Sequence, residues 1–289
     1  MGNGSSKNND SSVDFLGPES PLVQAQTLEF TSSGIRINNK RTSAILTRRE
    51  LEKMRHANVS NDIRIILNKP FSNVDRITDS LYLTGIGGVL LENIKELKIR
   101  CIINATHEMP LAKLPKVASL RVPVDDDPSE NIFIYLDDVA TVIHNVSKKG
   151  GRTMVHCLAG ASRSSTLVIA YLIKYQEYTL KNAFCYLKSL RPCARPNIGF
   201  FNYLIKYESF YHKNNSVVMQ EVKIQGKTVR VPDFYKAEFP DLYRVEVQKQ
   251  LNQSHMSQVR VQESNQVNYI NRNRGVKEMH NDMDKLRQE

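Results

Sequence analysis

One run constrains the fold more than any other part of the chain: TMVHCLAGASRSSTLVIAYLIKY, residues 153–175. It opens on a short apolar stretch of strand character. Five small or aliphatic residues follow, and then a long apolar segment at helical spacing. In that segment Leu167, Val168, Ile169, Ala170, Leu172 and Ile173 leave almost no polar face. A helix apolar nearly all round has to sit in the middle of a domain rather than on its surface. A buried strand feeding a central helix through a tight loop is the unit from which parallel sheets are built.

The surrounding sequence repeats that alternation. SLYLT, RCIINAT, SLRVPV and TMVH read as short strands. VLLENIKEL reads as a helix with Leu90, Leu91, Ile94 and Leu97 on one face, and NIFIYLDDVATVIHNV places Ile132, Leu136, Val139, Ile143 and Val146 at helical spacing. Three helices follow the strand TMVH: SSTLVIAYLIKY, TLKNAFCYLKSL and one after RPN. The pattern predicts an α/β sandwich, a central, mostly parallel, twisted sheet flanked by helices. Its compact part spans residues 74–212, with a C-terminal extension over 213–243 expected to pack on it.

The ends differ in composition. Residues 1–28 are rich in Asn, Ser and Gly and read as disordered; residues 29–73 read as an irregular extension. Within it the basic stretch RINNKRTSAILTRRELEKMR carries a capping-box pattern at Thr47 and Glu50. From residue 244 a tail dominated by Gln, Asn and charged residues reads as disordered or helical only in patches. The start, MGNGSSK, places Gly2 after the initiator Met with Ser6 and Lys7 downstream, the pattern of an N-myristoylation signal. A single acyl chain gives only weak membrane association.

The 40 Lys and Arg against 30 Asp and Glu give a formal charge of +10, which favours anionic partners. No aromatic-rich basic motif points to a nucleic acid. The four cysteines form no Cys-x-x-Cys pair, and no histidines stand at zinc-site spacing, so the thiols read as free; no cofactor is expected. With no secretory leader or membrane span in view, the expected setting is reducing and cytoplasmic, with a membrane-associated fraction and the nucleus left open.

Two Cys–Arg pairs share one spacing, Cys157 to Arg163 and Cys185 to Arg191. Context separates them. Cys185 falls inside a helical pattern whose amides are already bonded along the helix. It reads as a packing residue, and Arg191 as a cation at the helix C-terminus. Cys157 ends a strand, and Leu158, Ala159, Gly160, Ala161 and Ser162 lead into a helix beginning near Arg163. Small side chains and a glycine let backbone amides approach a tetrahedral oxyanion at the positive end of that helix. The same field favours the thiolate of Cys157, a nucleophile aimed at phosphorus. Arg163 can hold two phosphoryl oxygens at once. A proton donor for the leaving oxygen is offered by VPVDDDPSEN, where spacing does not choose among Asp125, Asp126 and Asp127; Asp127 or Ser129 can instead cap the next helix.

HCLAGASRSS resembles the signature of cysteine-dependent protein phosphatases. Together with ITDSLYLT, CIINAT, VPVDDDPSEN and LRPCARPNIGFFNYLIKYE, in that order and spacing, it is similar to the atypical dual-specificity phosphatases. The resemblance implies the phosphatase α/β fold with a shallow cleft and no metal. It implies hydrolysis of phosphotyrosine and phosphoserine or phosphothreonine in proteins through a phosphocysteine. Cys157 would be the nucleophile, Arg163 the clamp and Ser164 the group easing thiolate departure. His156 would set thiolate and loop, and Asp126, five residues before Asn131, would be the acid. Cys101, on a neighbouring strand, is a candidate disulfide partner for Cys157 as well as a packing residue. The alternatives are a phosphoinositide phosphatase, disfavoured by a loop without lysine, and a non-catalytic phosphoprotein-binding module.

Overall fold

The computed structural model describes residues 47–49, 68–109 and 111–253. The chain divides into two compact units, Met1–Val217 and Val218–Glu289. The expectations for residues 1–28 and for Gly2 lie outside the described residues.

The first unit holds strands β1 (Val74–Arg76), β2 (Leu81–Gly85), β3 (Cys101–Asn104), β4 (Ala118–Arg121) and β5 (Thr153–Cys157), in the order β1-β2-β5-β3-β4. All neighbours are parallel except β1, which pairs antiparallel with β2. The sequence reading missed β1, a three-residue edge strand too short for its period to register. Helix α1 (Leu91–Glu96) covers one face, where Tyr82, Ile102 and Met154 from three strands meet Ile94 and Ile99. Helices α2 (Phe133–Lys148), α3 (Arg163–Gln176), α4 (Leu180–Leu190) and α5 (Ile198–His212) follow, and α3 packs against α2, α4, α5 and the strands β2 and β5.

Local chemistry accounts for several boundaries. Thr179 caps α4 by accepting from the Asn182 amide, and Asn197 caps α5 through Phe200. Every residue of α3 from Arg163 to Ile173 is buried, as its all-round apolar sequence requires. Glu177 ends α3 in the left-handed region. Because the sheet is parallel, the ends of β3, β4 and β5 come out along one edge. Ligands of such sheets bind beyond the carboxyl ends of the strands.

In the second unit, β6 (Met219–Ile224) and β7 (Lys227–Pro232) form an antiparallel hairpin around Gln225 and Gly226, both at positive φ. The short helix α6 (Tyr235–Glu238) and a helix over residues 240–253 follow. The tail read as disordered or helical only in patches from residue 244 is helical over its described part, residues 244–253. Glu246 within it is buried.

Candidate active site

Cys157 is the last residue of β5 and is almost wholly buried. Its Sγ accepts from the Gly160 amide at 3.2 Å and from the Ser164 hydroxyl at 3.1 Å. The loop is shaped from outside. Each carbonyl from Leu158 to Ser162 is taken by a donor elsewhere: Leu158 by the Ile86 amide, Ala159 by Arg191, Gly160 by Arg191 and Ser165, Ala161 by the Arg195 amide, and Ser162 by Thr166. Carbonyls drawn outward leave the amides to line the inside, which is what a nest for an anion needs. Gly160 has φ +67°, and a Cβ there would lie 2.5 Å from the Thr84 backbone and from Arg191 Nη2. No other residue fits.

Arg163 opens α3 with its side chain 5% exposed. Glu108 receives it two-pronged, Nη2 to Oε1 at 2.9 Å and Nη1 to Oε2 at 3.1 Å, and Nη1 also donates to the Val124 carbonyl. Nε is buried without a hydrogen-bond partner among the described residues. Burial would raise Glu108, but the bond and charge of Arg163 outweigh it and hold the carboxyl below its usual range. The sequence reading did not assign Glu108, which stands 55 residues before its partner. His156 is buried, and its Nδ1 lies 3.4 Å from the Cys157 carbonyl. Burial, with Arg121 and Arg163 adding to it, lowers its pKa to about 4, so the ring is neutral at ordinary pH.

The three aspartates left open by spacing go to three places. Asp125 pairs with His107 at 3.2 Å. Asp127 accepts from the amide and hydroxyl of Ser129 in a local turn. Asp126 faces the loop, its Oδ1 accepting from Ser162 Oγ at 2.5 Å and from Asn197 Nδ2 at 2.9 Å. The expected capping of α2 by Asp127 or Ser129 does not occur. That helix starts at Phe133 after Ile132 without a side-chain cap, because the turn consumes both groups first. Gly199 lets α5 approach the aspartate loop, since a Cβ there would lie 1.9 Å from the Pro128 carbonyl.

The second Cys–Arg pair also differs from expectation. Cys185 sits half-buried in α4, as read. Arg191 does stand at the C-terminal end of α4, but it is fully buried and braces the loop. It donates to Gly160 O at 2.7 Å, Ala159 O at 3.0 Å, Phe71 O at 3.0 Å, Asn73 O at 3.1 Å and the Asp75 carboxylate at 2.5 Å. Cys101 lies at the wrong end of the sheet to pair with Cys157. It stands opposite Thr153, four residues back along β5, ~13 Å at the usual rise per residue. Burial raises its thiol to about 12, which suits an inert packing residue. Among the described residues, His107, Glu108 and Asp125 could bring ligand atoms within 4.8 Å of one another. Here they are engaged with each other and with Arg163.

A cysteine at a strand end, a loop of inward amides, an arginine at the first turn of a buried helix and an aspartate across the loop define a cysteine-dependent phosphatase. Comparison with known proteins narrows the class. The family model described as "Dual specificity phosphatase, catalytic domain" matches residues 81–210. Mouse dual specificity protein phosphatase 14 is 40% identical over 176 residues, 61% of this chain and 87% of the relative. Bovine dual specificity protein phosphatase 18 is 37% identical over 170 residues, covering 58% and 87%. Among solved structures, human DUSP28 aligns at 33% identity with a TM-score of 0.47, covering 48% of this chain and 95% of that one. The chain belongs to the dual-specificity protein phosphatases, and phosphorylated proteins are its substrates.

Proposed function

We propose that the chain cleaves phosphate monoesters through Cys157, with the work divided among the residues that surround it. The Cys157 thiolate attacks phosphorus, and the bond from phosphorus to the ester oxygen breaks as Asp126 gives that oxygen its proton. Loop amides and Arg163 meet the charge on the equatorial oxygens, the largest contribution to lowering the barrier. Arg163 Nε, a buried donor without a partner among the described residues, is the group to receive the phosphoryl oxygen. Asp126 then takes a proton from water as the water attacks the phosphocysteine. The sulfur–phosphorus bond breaks with the pair returning to sulfur, where Ser164 Oγ, 3.1 Å away, donates to the departing thiolate. His156, neutral and buried, supports the loop through the Cys157 carbonyl rather than through Sγ.

The observation that carries this reading is the meeting of the Gly160 amide and the Ser164 hydroxyl on one sulfur, with Asp126 tied to Ser162 of the same loop. Cys157→Ser should abolish turnover of an aryl phosphate, and Asp126→Ala should lower it roughly 10²–10⁴-fold. Full activity in Cys157→Ser would overturn the mechanism. The same two variants retain substrate, so phosphoproteins captured from extract identify physiological targets. Phosphopeptides should be hydrolysed in preference to phosphoinositides, because the loop from Leu158 to Ser162 has no lysine to meet additional phosphates.

Gly2, with Ser6 and Lys7 behind it, supports a lipidated N-terminus that places part of a cytoplasmic population on membranes. Equal partition of wild type and Gly2→Ala to the membrane fraction of cells would refute it.

A further inference from the structure

At the end of the sheet away from Cys157, the first unit carries a groove of about 450 Å³. Its apolar lining comes from Leu91 and Ile94 of α1 and from Leu114 and Val117, which precede β4. The register puts this end near Cys101 and Thr153, whereas Asn104 and His156 lie toward the catalytic end. Lys95, Lys98 and Arg100, all exposed, supply the charged part of the lining, and no acidic residue contributes. An apolar floor under three cations suits a ligand with apolar anchors and negative charge.

We propose that residues 10–22 of the same chain, DSSVDFLGPESPL, occupy this groove. Phe15 and Leu16 supply the apolar anchors, and Asp10, Asp14 and Glu19 supply the charge, with no Lys or Arg in the segment. The place where the N-terminal chain meets the fold supports the assignment. The Arg48 amide lies 3.2 Å from both Glu92 carboxylate oxygens, and its Nη2 lies 2.9 Å from Glu96 and 3.3 Å from Asn93. Those partners belong to α1, the helix whose Leu91, Ile94 and Lys95 line the groove. The chain N-terminal to Arg48 therefore starts beside the site. Leu22 stands 26 residues before Arg48, and a random coil of that length has a reach of ~25–30 Å, several times the ~9 Å length of α1. Such a tether gives an effective concentration of order millimolar, so modest contacts suffice. The segment 50–67 is a poorer fit, because Lys53, Arg55 and Arg64 cancel Glu50, Glu52 and Asp62.

Amide hydrogen exchange on the full-length chain tests this. Residues 10–22 should exchange about tenfold more slowly in wild type than in Lys95→Glu/Lys98→Glu. Adding Asp14→Lys/Glu19→Lys to that variant should restore protection. Unchanged thermal midpoint and aryl phosphate turnover would show that the surface changes leave the fold intact. Exchange of 10–22 at free-peptide rates in wild type would overturn the proposal, as would protection indifferent to the charge reversals. Protection that fades on dilution would place the segment on a second copy and overturn the same-chain assignment.

Discussion

Replacing Arg191 with lysine tests how the phosphate loop is built. The native guanidinium is fully buried and makes five hydrogen bonds, four to carbonyls and one to the Asp75 carboxylate. Lysine keeps the charge but brings three donors on one nitrogen. Phe71, Asn73 and Gly160 each keep a second donor, the Gly85 amide, the Thr84 hydroxyl and the Ser165 hydroxyl, so Ala159 is the carbonyl left unpaired when lysine cannot reach it, at ~1–3 kcal/mol. The expected destabilisation is thus ~1–3 kcal/mol, an appreciable share of the ~5–15 kcal/mol typical of a domain. Two of the four carbonyls, Ala159 and Gly160, belong to the loop itself. Gly160 keeps Ser165, but a released Ala159 carbonyl can rotate and turn the Gly160 amide of the same peptide away, and losing one such oxyanion donor costs ~10²–10³ in kcat. Urea unfolding followed by circular dichroism reads the first effect, and aryl phosphate turnover at saturating substrate, under conditions where the variant is folded, reads the second. Asp75→Asn is the comparison, since it removes charge from the brace without touching a loop carbonyl. It should lose stability but proportionately less kcat. If Arg191→Lys stayed within ~0.5 kcal/mol of wild type with kcat unchanged, the claim that outward hydrogen bonding shapes the loop would fail.

Two further predictions concern the groups around Arg163 and Cys157. Glu108→Gln leaves one acceptor where Arg163 has two, so kcat/KM on phosphopeptide should fall about tenfold; an unchanged value would mean that substrate alone orients Arg163. For His156 the folded pKa is about 4 against 6.5 for the free residue. The unfolded state therefore binds the proton first as pH falls, and stability is lost from about pH 6.5 downward until the folded ring titrates. The full loss is roughly 3 kcal/mol. Comparing the pH dependence of unfolding for wild type and His156→Gln isolates it, most cleanly between pH 6.5 and 5, above most carboxylate titrations. Parallel curves would show that His156 is not held neutral.

Much of the catalytic loop was legible in the sequence because it is local. Cys157, the small residues after it and Arg163 lie on one strand, one turn and one helix, whose backbone geometry follows from burial, glycine and helix initiation. The same locality explains why strands and long helices fall within two or three residues of their sequence boundaries, while the three-residue edge strand β1 escaped notice. Short windows also misled. A capping pattern at Asp127 and Ser129 could not reveal that those two groups satisfy each other before the helix begins.

What only the tertiary structure decided is everything that reaches the loop from elsewhere. Glu108 grips Arg163 across 55 residues, Arg191 ties the loop to Asp75 across 116, and Asn197 meets Asp126 across 71. Those distances close because β5 lies between β2 and β3, which brings the ends of separate strands together around one anion site. A sequence by itself records which side chains can donate, accept or attack. The order of the strands determines which of them meet, and so made the helix-end cation Arg191 also the brace of the phosphate loop.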